Sequence, residues 1–165
     1  MSTRWAGSSA SIGIVAVLLA GGIHAQQIPL QLNGSSPDSG FGIVAPAGDV
    51  DGDGRDDLVI GAPRHASAAG RVVVHSSSGA LLHEFSGEQV DDLFGSAVAG
   101  AADIDGDGFD DLIIGAPGLE DGASPGRVTV YSGATGETIH RVDGTQAGGR
   151  FGAAVSGIGD IDGDG

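Results

Sequence analysis

The chain has 165 residues, a net charge of −15, 32 glycines, no lysine and no cysteine. Without cysteine it can form neither a disulfide framework nor a thioether-linked lipid, and so acidic a chain does not bind a nucleic-acid backbone by electrostatics. The acids are also unevenly placed: 13 of the 22 fall in 49–57, 103–111 and 160–164, a clustering that a solvating coat would not produce.

Residues 1–25 open with a single positive charge, Arg4, continue through the apolar "IGIVAVLLAGGI" and end on the small Ala25. That is the anatomy of a cleaved signal peptide, and the apolar run is shorter than the roughly 18 residues a membrane span needs. The mature protein is therefore expected to lack a membrane span and to lie outside the cytoplasm, secreted, at the cell surface or in a periplasm.

From Phe41 onward the chain repeats itself. "FGIVAPAGDVDGDGRDDLVIGAP" starts at Phe41, "FGSAVAGAADIDGDGFDDLIIGAP" at Phe94 and "FGAAVSGIGDIDGDG" at Phe151. Between them, "GRVVVHSSSGALLHEFSGE" (70–88) matches "GRVTVYSGATGETIHRVDGT" (126–145). The units are thus 41–93, 94–150 and the start of a third at 151–165. Each period reads as four short strands punctuated by Gly, Pro, Asp and Ser; in the second they are expected at 96–99, 112–115, 127–132 and 138–142. The "LVI" and "LII" runs are apolar at every position, as in strands covered on both faces. Four antiparallel strands in a repeat of this length predict an all-β fold, a β-propeller of four-stranded antiparallel blades. A propeller closes with roughly four to eight blades, so further repeats are expected in a longer chain. Residues 26–40 read as a linker, or their alternating "QQIPLQLNG" as an outer strand closing the last blade.

The clustered acids follow a spacing. With Asp49 as position 1, carboxylates fall at positions 1, 3, 5 and 9: Asp49, Asp51, Asp53 and Asp57. Gly54 at position 6 permits a sharp turn that lets Arg55 at position 7 offer its backbone carbonyl. The second loop repeats this with Asp103, Asp105, Asp107, Phe109 and Asp111, and the third begins it with Asp160, Asp162 and Asp164. Two unit charges about 4 Å apart repel by about 4 kcal/mol at an effective dielectric near 20, so converging carboxylates need a cation. An all-oxygen, flexible donor set suits Ca2+ rather than Mg2+, and zinc would call for His or Cys. The loop is not an EF-hand, because position 12 is Ile60 or Ile114 in an apolar strand where that motif requires Glu. Asp56 and Asp110, at position 8, read as solvent-facing or as support for the ligands.

These residues resemble the FG-GAP repeat, known from the seven-bladed propeller of integrin α chains and from many secreted bacterial proteins. Phe-Gly, the aspartate loop and Gly-Ala-Pro recur together in that order. The resemblance implies that the loops bind structural Ca2+ on one face of the ring and that partners dock on the opposite face.

The histidines carry no catalytic reading. His83 and His140 occupy matching strand positions in successive periods, His75 matches Tyr131, and no Ser/His/Asp arrangement can be assembled. Asp91 and Asp92 read as a solvated turn. The chain is therefore expected to be a non-catalytic module for adhesion or for binding a protein or carbohydrate ligand. The alternative is the propeller portion of a larger secreted hydrolase, such as a phospholipase or glycosidase.

Overall fold

The computed structural model describes residues 13–16, 30–33, 39–40, 42–119 and 122–158. The rest of the expected signal segment and the third acidic loop, with Asp160, Asp162 and Asp164, lie outside the described residues. A small antiparallel sheet pairs β1 (Gly13–Ala16) with β2 (Leu30–Asn33). β2 falls in the segment expected to be a linker or an outer strand.

The two complete periods fold into two four-stranded antiparallel blades. The first contains β3 (Ile43–Gly48), β4 (Asp57–Ala62), β5 (Arg71–His75) and β6 (Leu81–Ser86), in chain order across the sheet. The second contains β7 (Ala97–Gly100), β8 (Leu112–Ala116), β9 (Arg127–Tyr131) and β10 (Thr138–Asp143). The fold is thus all-β, a run of propeller blades, and the expected strands of the second period differ from the observed ones by a residue or so at their ends. Pro46 is accommodated because β3 is an edge strand, where a missing N–H costs no ladder bond. One helical turn, α1 (His65–Ala68), appears among the described residues; Ala66 and Ser67 within it are left-handed, with φ of 51° and 57°.

β4 is buried along its whole length, as its unbroken apolar run requires. Its Val59, with Val72 and Val74 of β5, meets Leu112, Ile114 and Ala116 of β8 in one core that also holds Ala47, Val50, Phe94 and Val98. The two-residue spacing of Val72/Val74 and of Leu112/Ile114/Ala116 puts each set on one face of its strand, so the blades pack face to face. Phe85 of β6 lies 4.5 Å from Tyr131 of β9, centroid to centroid, and Phe94 meets the same ring edge-on at 6.3 Å.

The blades approach closely at their glycines. A Cβ added at Gly61 would overlap the carbonyl oxygen of Gly95, and one added at Gly115 would overlap that of Gly152. The Gly of each Gly-Ala-Pro therefore abuts the Gly of the next Phe-Gly, backbone against backbone. The Phe of the second and third Phe-Gly is tied to the same junction: Phe94 N–H donates to the Ala69 carbonyl at 3.1 Å and Phe151 N–H to the Pro125 carbonyl at 3.0 Å. The two ends of the repeated motif are two sides of one blade contact, which explains why they recur together.

Candidate metal centre

Each acidic loop connects the first two strands of its blade, so both sit at the same end of the sheets. In the first, Asp49 organises the turn by accepting from the Asp53 amide at 3.0 Å and the Gly54 amide at 2.9 Å. Asp51 accepts from the Asp53 amide at 3.1 Å and Asp53 from the Arg55 amide at 3.0 Å. Asp57, fully buried at the start of β4, accepts from the Val50 amide and from the Ser77 amide of the β5–β6 turn, both at 2.9 Å. The second loop reproduces this. Asp103 accepts from the Asp107 and Gly108 amides at 3.0 and 2.9 Å, and buried Asp111 from the Ile104 and Gly133 amides at 2.7 and 3.0 Å.

These turns aim carboxylates at one point. One oxygen from each of Asp49, Asp51 and Asp57 lies within 4.8 Å of the others, and Asp103, Asp105 and Asp111 form the same group in the second blade. Asp53 and Asp107, the expected ligands at position 5, stand outside those groups; each comes near a serine hydroxyl, Ser77 at 3.5 Å and Ser132 at 3.4 Å. At position 7 the backbones of Arg55 and Phe109 are turned by the Asp53 and Asp107 carboxylates, at 3.0 Å each.

The electrostatics suit a bound cation. Burial pushes the Asp57 carboxyl above its ordinary value, with the Asp51 charge adding to it, against the Ser77 and Val50 hydrogen bonds that lower it. Asp105 is likewise pushed up by desolvation and by the neighbouring charges of Asp107, Asp111 and Asp103. Each carboxylate has about four lone-pair positions, so those already holding amides can still donate to a metal. A hard divalent cation would convert this repulsion into attraction, and the all-oxygen donor set matches Ca2+ chemistry.

One expectation about the remaining acids is corrected, and for Asp110 one of two alternatives is selected. Asp92 does not lie in a solvated turn. It is 6 % exposed and its carboxylate meets Arg127, itself 8 % exposed, at 2.6 Å. Asp110 takes the supporting role rather than the solvent-facing one: it accepts from the Asp49 amide at 2.8 Å. Neither partner is a neighbour in sequence, so no local pattern could have shown the pairing. The matched histidines do sit on the matched outer strands. His83 of β6 bonds the Gly133 carbonyl of the second blade, and His140 of β10 is exposed.

At the opposite end of the blades an open cavity of about 660 Å³ lies between the 87–93 connection and the β8–β9 loop. Asp91, Asp92, Leu119, Arg127, Arg141 and Asp143 are among its lining residues. Among the described residues no helix is long and apolar enough to cross a membrane.

Paired three-carboxylate loops on successive four-stranded blades, joined by Phe-Gly and Gly-Ala-Pro, define a class of repeat. Residues 41–75 and 94–131 match the FG-GAP repeat family, so the chain carries FG-GAP repeats over those two segments. The chain is 40% identical to integrin alpha-PS2 of Drosophila melanogaster over 140 residues, 78% of this chain and 10% of that protein. It is 36% identical to integrin alpha-V of Gallus gallus over 137 residues, 78% of this chain and 13% of that relative. With human integrin alpha-IIb the identity is 34% over 157 residues, 86% of this chain and 15% of the relative. The chain thus spans about a tenth to a seventh of the length of these relatives.

Proposed function

We propose that the chain is an exported, calcium-binding FG-GAP propeller segment that acts as a non-catalytic adhesion or ligand-binding module. Ca2+ is structural in this reading: it clips each β3–β4-type loop closed and holds the loop against the turn between the third and fourth strands. Asp49, Asp51 and Asp57 form one site and Asp103, Asp105 and Asp111 the other, with Asp53, Asp107 and the backbone carbonyls of Arg55 and Phe109 completing the shells. The third loop is proposed to do the same with Asp160, Asp162 and Asp164. A protein or carbohydrate ligand docks at the opposite end, where the cavity floored by Arg127 opens. The likeness to integrin α chains favours adhesion over a hydrolase-borne propeller. The observation that carries the proposal is the recurrence of the same three-carboxylate group at the same end of successive blades.

A thermal melt with and without millimolar CaCl2 tests it. A ligand that binds only the folded state stabilises it by about 2.7 kcal/mol at a hundredfold excess over Kd, so the melting temperature should rise by several degrees and fall back with chelator. Asp51→Ala with Asp105→Ala should abolish most of the rise. A melt indifferent to calcium overturns the reading.

A further inference from the structure

The two acidic loops touch each other through Asp110, which the metal reading leaves aside. Asp110, between the second-loop backbone at Phe109 and the buried Asp111, reaches back to the first blade. Its carboxylate accepts from the Asp49 amide at 2.8 Å and its own amide donates to the Asp49 carbonyl at 3.0 Å. Both polar groups of the Asp49 backbone are therefore held by one residue of the next loop, and Asp49 supplies the first carboxylate of the first cluster. The sequence leaves room for this clamp. Gly48 has a φ of 80°, and a Cβ there would sit 2.7 Å from the Asp110 Cβ. Beside it, the Phe109 ring covers Gly52, where an added Cβ would lie 2.9 Å from the ring.

We propose that Asp110 is a positioning residue that couples cation occupancy of the second loop to that of the first, so that the two sites fill cooperatively; this rests on the calcium reading above. A cation among Asp103, Asp105 and Asp111 draws 103–111 into one conformation, and that fixes the Asp110 carboxylate and amide one residue from a ligand. The clamped Asp49 backbone then loses less freedom when the first site fills, which is a coupling through ordering. Linkage makes it reciprocal: the first cation raises the affinity of the second by the same factor.

Calorimetric titration of the full chain with CaCl2 tests this. Asp105→Ala, which disables the second site, should weaken binding at the first loop at least about fivefold, the low end of ordinary coupling. In an Asp110→Ala background the same substitution should change it by less than about twofold. Asp110→Asn keeps an oxygen that can accept from the Asp49 amide and should restore the coupling, although it lacks the charge just as Ala does. Coupling that survives in Asp110→Ala, or Asn behaving as Ala does, overturns the proposal, the latter by assigning the effect to charge. Independent binding at the first and second loops overturns the coupling alone, and no heat in the parent protein overturns the calcium reading with it. Should Asp110→Ala fail to fold, amide exchange in Asp51→Ala decides. Calcium at the second loop should raise protection of the Asp49 amide at least about fivefold, and unchanged protection sinks the proposal.

Discussion

Arg127 begins β9 at 8 % exposure, with one guanidinium nitrogen on Asp92 and another on Glu88, each at 2.6 Å. Both acids belong to the connection between blades, so this cluster ties the connection to the second blade. Breaking a buried pair from one side strands the remaining charge, which costs about 3–5 kcal/mol. Arg127→Ala should lose that much in urea unfolding, and Arg127→Met with Asp92→Leu should lose far less. Glu88 is the exposed arm, and the Arg127 hydrogen bond, with help from Arg141, holds its carboxyl below the ordinary 4.5. Its contribution is therefore complete above 4.5 and disappears as pH falls through the lower folded-state value. Solvent limits the effect: Glu88→Gln should cost at most about 1 kcal/mol near neutral pH, and melts below that window should find the variant and parent alike. None of this was legible in "EQVDDLFG". Two adjacent acids look the same in sequence whether or not one finds an arginine 35 positions later.

The strands themselves were legible, because unbroken β-branched runs between glycine and proline have few other homes, and the acidic loops were legible because their spacing repeats. The contacts between elements were not. The left-handed turn at Ala66 and Ser67 has no local signal in "HASA"; it is held from outside, by the Leu93 amide on the Ala68 carbonyl at 2.8 Å and by Phe94 on Ala69. The recurring glycines of Phe-Gly and Gly-Ala-Pro were visible as a motif, yet their reason lies between blades. A methyl group at Gly61 has nowhere to go but into the Gly95 backbone, which is not the yielding end of a flexible side chain. Gly61→Ala should therefore destabilise by about 3 kcal/mol or more, at or above the usual cost of overpacking. Gly54→Ala, at a position with open space and a φ of 84°, should cost only the left-handed strain of about 1–2 kcal/mol. Chemical denaturation of the two variants side by side checks the ranking, and equal losses would contradict the backbone-contact account.

At the scale of the molecule, the two blades are alike in fold and unlike in burial. Val50 is 2 % exposed beneath the second blade, and Ile104, its counterpart in the second loop, is 45 % exposed. Val59 is sealed between blades where Ile113 is half-buried. β6 turns His83 and Phe85 onto the next blade, and of β10 only Ile139 is even partly covered. Matching local sequence thus yields different protection, because a blade's outward face is closed by its successor and not by itself. This is the nearest-neighbour logic of repeat proteins, in which stability is a sum of unit and interface contributions. Local opening should follow the same gradient. In a polypeptide limited to these 165 residues, matched hydrogen-bonded amides in β6 should exchange at least about tenfold more slowly than those in β10, the equivalent of ~1.4 kcal/mol of interface. Removing the aromatic contact with Tyr131→Ala should narrow that difference from the β6 side while leaving β10 rates nearly unchanged. Equal protection of β6 and β10 in the parent chain would mean that the blades are stable individually and that their contact contributes little.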